Sequence, residues 1–292
     1  MTTGQSVGAD ITALAAERWA GARDARLSQV MRALVRHLHA MAREVRLTES
    51  EWKTAMSWLA RTGQISDAKR AEFILASDVL GLSMLVVEMN HRRDPGATPP
   101  TVLGPFHVAG SPQLEYGANM AEGSSGTPLY ITGVIRDLHD QPVGGAVLDV
   151  WQADAHGIYE GQLPDGDARL RAKYTSQPGG GYCVRTIAPR GYSIPMDGPV
   201  GELISRAGIS RHRPAHVHFL ITAPGYEPLI THLFEAGAPN LDTDAVYGTK
   251  AELVVEFEHR PAGPTPDGRT SDEPWLLATY DFVLQPQRWT MV

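Results

Sequence analysis

Two histidines one residue apart, His216 and His218, lie in the stretch Arg213-Pro214-Ala215-His216-Val217-His218-Phe219-Leu220-Ile221. Successive side chains of a strand point to opposite faces, so residues two apart share a face. If this apolar stretch is a strand, both imidazoles project from a rigid element and can reach one metal ion together. The same pattern also fits two unrelated histidines on a half-exposed strand. Metal chemistry needs further ligands, and two tyrosines stand upstream in turn-rich surroundings. Tyr159 closes Asp154-Ala155-His156-Gly157-Ile158-Tyr159, and Tyr192 follows Ala188-Pro189-Arg190-Gly191. Either alone reads as an ordinary tyrosine with a satisfied hydroxyl. His232 offers a different set: with His216 and His218 it would make an all-histidine zinc or copper site.

The elements that must position these residues change character along the chain. Leu27, Val30, Met31, Leu34, Leu38, Met41 and Val45 recur at helical spacing and mark one apolar face. Thr48 with Glu51 forms a capping box that opens a helix through Trp52, Met56 and Leu59, ending near Gly63. Ser66 caps a longer predicted helix, 67 to about 90, apolar nearly all round and therefore expected to be buried. These helices carry more apolar surface than a small unit can hide, so they must pack on the rest of the chain, on another subunit or on a lipid. Asp94-Pro95-Gly96 to Pro99-Pro100 reads as a linker. Beyond it the pattern turns to short strands. Residues 130–135 and 146–151 suggest a hairpin, with further strands near 182–187, 215–222, 228–234, 252–258 and 280–284. The expected fold is α+β: an N-terminal helical region with linker over 1–100, then a mainly antiparallel β-sandwich over 101–292.

Composition narrows the function classes. The chain has 292 residues, 42% hydrophobic and 20% charged, with a net charge of −7. Nothing in that balance suggests a nucleic-acid partner. The lone Cys183 excludes an internal disulfide and a cysteine-built cluster. The polar start lacks signal-peptide character, and the apolar stretch at 74–87 is too interrupted for a membrane span. A cytoplasmic location is expected.

Taken together the motifs resemble those of the intradiol ring-cleavage dioxygenases. Asp149-Val150-Trp151-Gln152-Ala153-Asp154, Gly157-Ile158-Tyr159, Gly191-Tyr192, Asp197-Gly198-Pro199-Val200-Gly201 and Arg213-Pro214-Ala215-His216-Val217-His218 occur in that family's order. Thr101-Val102-Leu103-Gly104-Pro105-Phe106 is similar to its active-site mouth. The resemblance runs from about Phe73 to the C-terminus. It implies that Tyr159, Tyr192, His216 and His218 ligate one non-haem Fe(III) per chain. Two phenolates suit a hard trivalent cation, and the metal makes tyrosinate available at neutral pH. It further implies that Tyr192 leaves the metal and accepts a proton when a catecholic substrate binds. Arg213 would stabilise charge developing on the ring as O2 attacks. The implied pocket wall is Leu75, Asp78, Val102, Leu103, Gly104, Pro105, Phe106, Ile194, Pro195, Arg213 and Val246, with His232 behind the ligands. Members of this family pair as homodimers through their N-terminal helices and can hold a lipid there.

Within the family the chain is most similar to the hydroxyquinol 1,2-dioxygenase branch. Phe73 to Gly81, Ile230-Thr231-His232-Leu233-Phe234, Leu241 to Gly248 and Glu273-Pro274-Trp275 carry that likeness. Gly191-Tyr192-Ser193 and Leu103 depart from it toward the catechol branch. The implied reaction opens hydroxyquinol (1,2,4-trihydroxybenzene) between adjacent hydroxyl-bearing carbons, giving 3-hydroxy-cis,cis-muconate and its tautomer maleylacetate. Asp78 interrupts an apolar helix, where an unpaired carboxylate is costly. It either bonds a neighbouring backbone or arginine, or meets the third hydroxyl of the substrate. Alternatives are a catechol or chlorocatechol 1,2-dioxygenase and, from another class, a non-catalytic β-sandwich binding module.

Overall fold

The computed structural model describes residues 7–67, 70–162 and 169–287. The chain divides into two compact units, Met1–Gln64 and Ile65–Val292.

In the first unit, α1 spans Val7–Ala20, α2 Ala25–Glu44 and α3 Glu49–Ile65. Asp24 caps α2 by accepting the Leu27 N–H at 2.9 Å. The capping box ahead of α3 is reciprocal: the Thr48 N–H donates to Glu51 Oε2 at 2.8 Å, and the Glu51 N–H donates to Thr48 Oγ1 at 3.3 Å. The apolar face of α2 forms as expected, and Leu27, Val30, Leu34, Leu38 and Met41 remain exposed.

The second unit corrects the long helix expected over 67–90, of which positions 68–69 lie outside the described residues. It is two helices, α4 at Glu72–Val79 and α5 at Leu82–Asn90. Gly81 separates them in the left-handed region, φ 72°, which a β-carbon disfavours. Nor are they buried all round. Ala76, Asp78, Val79 and Met84 are covered, but Phe73, Ile74, Leu82, Leu85 and Met89 are exposed. Apolarity on every face said nothing about which face the single chain covers.

Two five-stranded sheets follow. The first has β1 (Pro128–Asp137) at its centre. It pairs antiparallel with β4 (Gly181–Ile187) and parallel with both β13 (Trp275–Thr279) and β14 (Phe282–Leu284), while β10 (Glu258–Arg260) lies outside β13. The second runs β3 (Arg171–Thr175), β2 (Val147–Gln152), β7 (His216–Thr222), β8 (Leu229–Glu235), β9 (Val254–Val255). Small ribbons join β5 (Tyr192–Ser193) to β6 (His212–Arg213) and β11 (Gly263–Pro264) to β12 (Thr270–Ser271). One core fills the space between the large sheets: Leu129 and Ile131 of β1 with Leu148 and Val150 of β2, Val217 and Phe219 of β7, and Phe282 of β14. Phe219 and Phe282 meet across it at 4.9 Å between ring centroids. This is a sandwich of two mostly antiparallel sheets over one core.

The hairpin expected between 130–135 and 146–151 does not form. β1 and β2 belong to different sheets, and after Pro142 the chain crosses from one to the other. Both strands bury one face in the same core from opposite sides, which alternation of apolar residues cannot distinguish from pairing.

Candidate metal centre and active site

The site is built on the outer face of the second sheet. In β7, Val217, Phe219 and Ile221 enter the core, so His216 and His218 point the other way. Register extends the row: Trp151 of β2 pairs with His218, and His218 pairs with His232 of β8. The Trp151 indole stacks on the His218 ring, centroids 4.7 Å apart and planes at 17°. His218 and His232 meet edge to face at 4.2 Å. A wall of aromatic carbon therefore fixes the His218 ring from one side and a second imidazole from the other.

The loops bring the tyrosines to this row. Asp154 accepts the N–H groups of His156 and Ile158 at 2.8 and 2.9 Å, which folds the turn that delivers Tyr159. Phe106 stacks on the Tyr159 ring at 4.3 Å. Tyr192 begins β5, held beside Arg213 of β6. Gly157 sits so close to Tyr192 that a Cβ there would come within 2.9 Å of the Tyr192 Cβ.

Three donor atoms converge. The Tyr159 hydroxyl lies 2.9 Å from His218 Nε2 and 3.3 Å from His216 Nε2, and the two Nε2 atoms are 3.1 Å apart. The Tyr192 ring meets that of Tyr159 edge to face, centroids 5.4 Å apart, and lies 5.7 Å from the His216 ring. His216 Nδ1 donates to the Pro214 carbonyl at 2.7 Å, which leaves its Nε2 as a bare lone pair aimed at the cluster. Burial, reinforced by the Arg213 charge, pushes His216 down to about 3. Burial and the neighbouring imidazoles hold His218 well below its usual range. Neutral imidazole is the form a metal requires. Burial pushes the Tyr159 phenol well above its usual value, with Tyr192 adding to the shift. A cation among these atoms would reverse that shift by binding phenolate. Two neutral imidazoles and a buried phenol oxygen converging on one point, with a second tyrosine beside them, fit a hard metal that binds phenolate.

His232 is fully buried, and neither ring nitrogen has a protein partner. Its ligand atom lies within 4.8 Å of those of His216 and His218, so among the described residues these three also form a potential all-histidine set.

A cavity of about 660 Å³, open to solvent, adjoins the cluster. Its lining brings together Leu75, Asp78, Val102, Gly104, Pro105, Phe106, Tyr192, Ile194, Pro195, Arg213 and Val246. Leu103 is not on that lining, and its side chain is over a third exposed, at 37%. Three lining residues had no signal in the sequence: Arg70, Ala71 and Glu72. They precede or begin α4, in a region read there only as apolar helix. Asp244 was visible only as one residue of the segment Leu241 to Gly248. It forms a buried ion pair with Arg213 and accepts the Gly248 N–H at 2.9 Å. Asp78 is 5% exposed, and burial raises its carboxyl above the usual range.

Two family models match the chain. Residues 24–98 match the family model described as "Catechol dioxygenase N terminus", and 102–286 match that described as "Dioxygenase". The hydroxyquinol 1,2-dioxygenase of Nocardioides simplex is 48% identical over 90% of each chain. The 6-chlorohydroxyquinol 1,2-dioxygenase of Cupriavidus pinatubonensis is 46% identical over 95% of this chain and 97% of its own. Among solved structures, hydroxyquinol 1,2-dioxygenase from Pseudomonas putida DLL-E4 superposes with a TM-score of 0.92. The alignment covers 96% of this chain and 99% of that one at 45% identity.

Proposed function

The chain belongs to the intradiol ring-cleavage dioxygenase family, and from that membership and the geometry above we propose how it acts. It is an enzyme that opens the ring of hydroxyquinol with O2 between adjacent hydroxyl-bearing carbons, giving 3-hydroxy-cis,cis-muconate and maleylacetate. The observation that carries the site assignment is the convergence of Tyr159, His216 and His218 donor atoms within 3.3 Å beside Tyr192. On this reading Tyr159, Tyr192, His216 and His218 hold one Fe(III) per chain. Held there, the ion would supply Lewis-acid charge that draws electron density from the diol and so activates the ring toward O2.

The remaining work falls to the chain. Tyr192 is the more exposed of the two tyrosines and stands on a two-residue strand. Its phenolic oxygen takes a proton from the entering diol. Arg213 places a permanent cation on the cavity wall, stabilising charge on the ring oxygen as it becomes ketonic. Val102, Phe106, Ile194 and Val246 exclude water from the ring. Asp78 accepts a hydrogen bond from the third hydroxyl, which separates hydroxyquinol from catechol. In chain order, 1–100 is the helical region and linker and 101–292 the catalytic domain, with Leu75 and Asp78 of the former reaching the cavity.

The exposed apolar face of α2 supports pairing of two chains through the N-terminal helices, with room for a lipid between them.

One purified sample tests the core of this reading. It should be red-brown from tyrosinate-to-iron charge transfer, contain one iron per chain and consume O2 with hydroxyquinol. Colourless, active protein containing zinc would instead favour the set His216, His218 and His232.

A further inference from the structure

The motif Asp197-Gly198-Pro199-Val200-Gly201 takes no part in the chemistry above, yet it holds two residues of the cavity lining, Arg70 and Glu72. Both carboxylate oxygens of Asp197 accept from the fork of Arg70, Nη1 to Oδ2 and Nη2 to Oδ1, each at 2.8 Å. The third edge of the guanidinium is held elsewhere: Nε donates to Glu72 Oε2 at 3.0 Å. Glu72 is buried, 1% exposed, and its Oε1 accepts the Val200 N–H at 3.0 Å. A Cβ on Gly198 would collide with Glu72 Oε1 and Arg70 Nη2. The guanidinium is thus planted between a buried carboxylate and a backbone that admits no side chain.

The two cations on the cavity lining are held differently. Arg213 and Asp244 are both buried, at 3% and 2% side-chain exposure. Arg70 is 26% exposed, and its partner Asp197 is 72% exposed. An ion pair so open to water contributes little and exchanges readily. Its bidentate geometry suits any carboxylate. The reaction supplies one: an uncharged triol enters the cavity and a dicarboxylate leaves it.

We infer that Arg70 is a carboxylate subsite of this cavity, where one carboxylate of the ring-opened product displaces Asp197 from the guanidinium fork while Glu72 keeps the arginine in place. The inference rests on the ring-opening activity proposed above. The product then meets a cation on the solvent side of the cavity, and Asp197 competes with it for that cation.

Titration calorimetry of the full-length holoenzyme with cis,cis-muconate tests this, with anaerobic catechol as the ligand that lacks a carboxylate. Arg70→Gln should weaken muconate about tenfold and leave catechol nearly unchanged. Asp197→Asn should tighten muconate severalfold, because the competing carboxylate is gone. A purely structural clamp predicts the same sign for both variants. Equal muconate affinity in wild type and Arg70→Gln, or weaker binding by Asp197→Asn, overturns the inference. If Arg70→Gln fails to fold, the sign at Asp197 decides alone. Ring opening without these shifts removes the subsite and leaves the activity. The shifts without ring opening remove the activity and leave an anion site.

Discussion

Arg213 and Asp244 form a buried, two-pronged ion pair, Nε to Oδ1 at 3.0 Å and Nη2 to Oδ2 at 3.3 Å. The carboxylate is itself held by the Val246 and Gly248 N–H groups, at 3.3 and 2.9 Å. The Arg213 charge holds the Asp244 carboxyl below its usual range against the opposing effect of burial. The pair sets where the cavity's cation points. Asp244→Ala leaves a buried guanidinium unpaired and should cost about 3–5 kcal/mol of stability. Denaturant unfolding measures it. A loss under about 1 kcal/mol would mean that water or another group takes over the pairing.

Arg213→Gln keeps the size of the side chain and removes its charge. With the cation no longer facing the ring, kcat should fall about a hundredfold, while iron content stays at the wild-type level. Steady-state kinetics with elemental analysis separates the two. Loss of iron in this variant would make Arg213 a structural support of the metal site.

The ligand roles differ in what they predict. His218→Ala removes an imidazole fixed by Trp151 and should lose iron outright, together with the visible absorption. Tyr192→Phe removes a proposed ligand on a short, partly exposed strand and should retain part of the iron but little turnover. Chelation of wild type should bleach the colour and lower the melting temperature, since an ion bound only by the folded state stabilises it. Normal iron and activity in both variants would refute the assignment.

Much of this site was legible in residue types and spacing. The period-two pattern of 216–221 placed both histidines on one face, and β7 has that geometry. The capping box at Thr48 located the start of α3 because its hydrogen bonds are local. What failed was non-local. Whether β1 and β2 pair or face each other across the core depends on chain crossing, which their composition does not encode. Whether α4 and α5 are buried depends on what covers them. The partner that Arg70 grips with its fork, Asp197, lies far along the chain, so nothing near Arg70 in the sequence marks its place on the cavity lining.

The exposed stripe on α2 yields an assembly prediction. Leu34 and Leu38 are 46% and 50% exposed in the single chain. Wild type should sediment as a dimer at micromolar concentration, and the double variant Leu34→Glu/Leu38→Glu should shift toward monomer. A monomeric wild type would count against pairing through these helices.

The proposed contact of Asp78 with the third hydroxyl yields a prediction for substrate choice. Its side chain is buried on α4 and lines the cavity. A carboxylate in that place is costly unless something donates to it, and the neighbouring Ser83 hydroxyl donates to Ser77 Oγ at 2.9 Å. The third hydroxyl of hydroxyquinol can donate from the cavity side, whereas catechol offers only a C–H there and leaves the carboxylate less satisfied. A hydrogen bond to a charged group, gained by one substrate and absent in the other, corresponds to about tenfold to a hundredfold in kcat/KM. Asp78→Ala should therefore reduce the preference for hydroxyquinol over catechol by that factor, chiefly through loss on hydroxyquinol. The ratio of the two kcat/KM values, measured in wild type and variant, decides it. If the ratio is the same in both proteins, Asp78 is a structural carboxylate and the selectivity must come from the apolar wall at Val102, Ile194 and Val246.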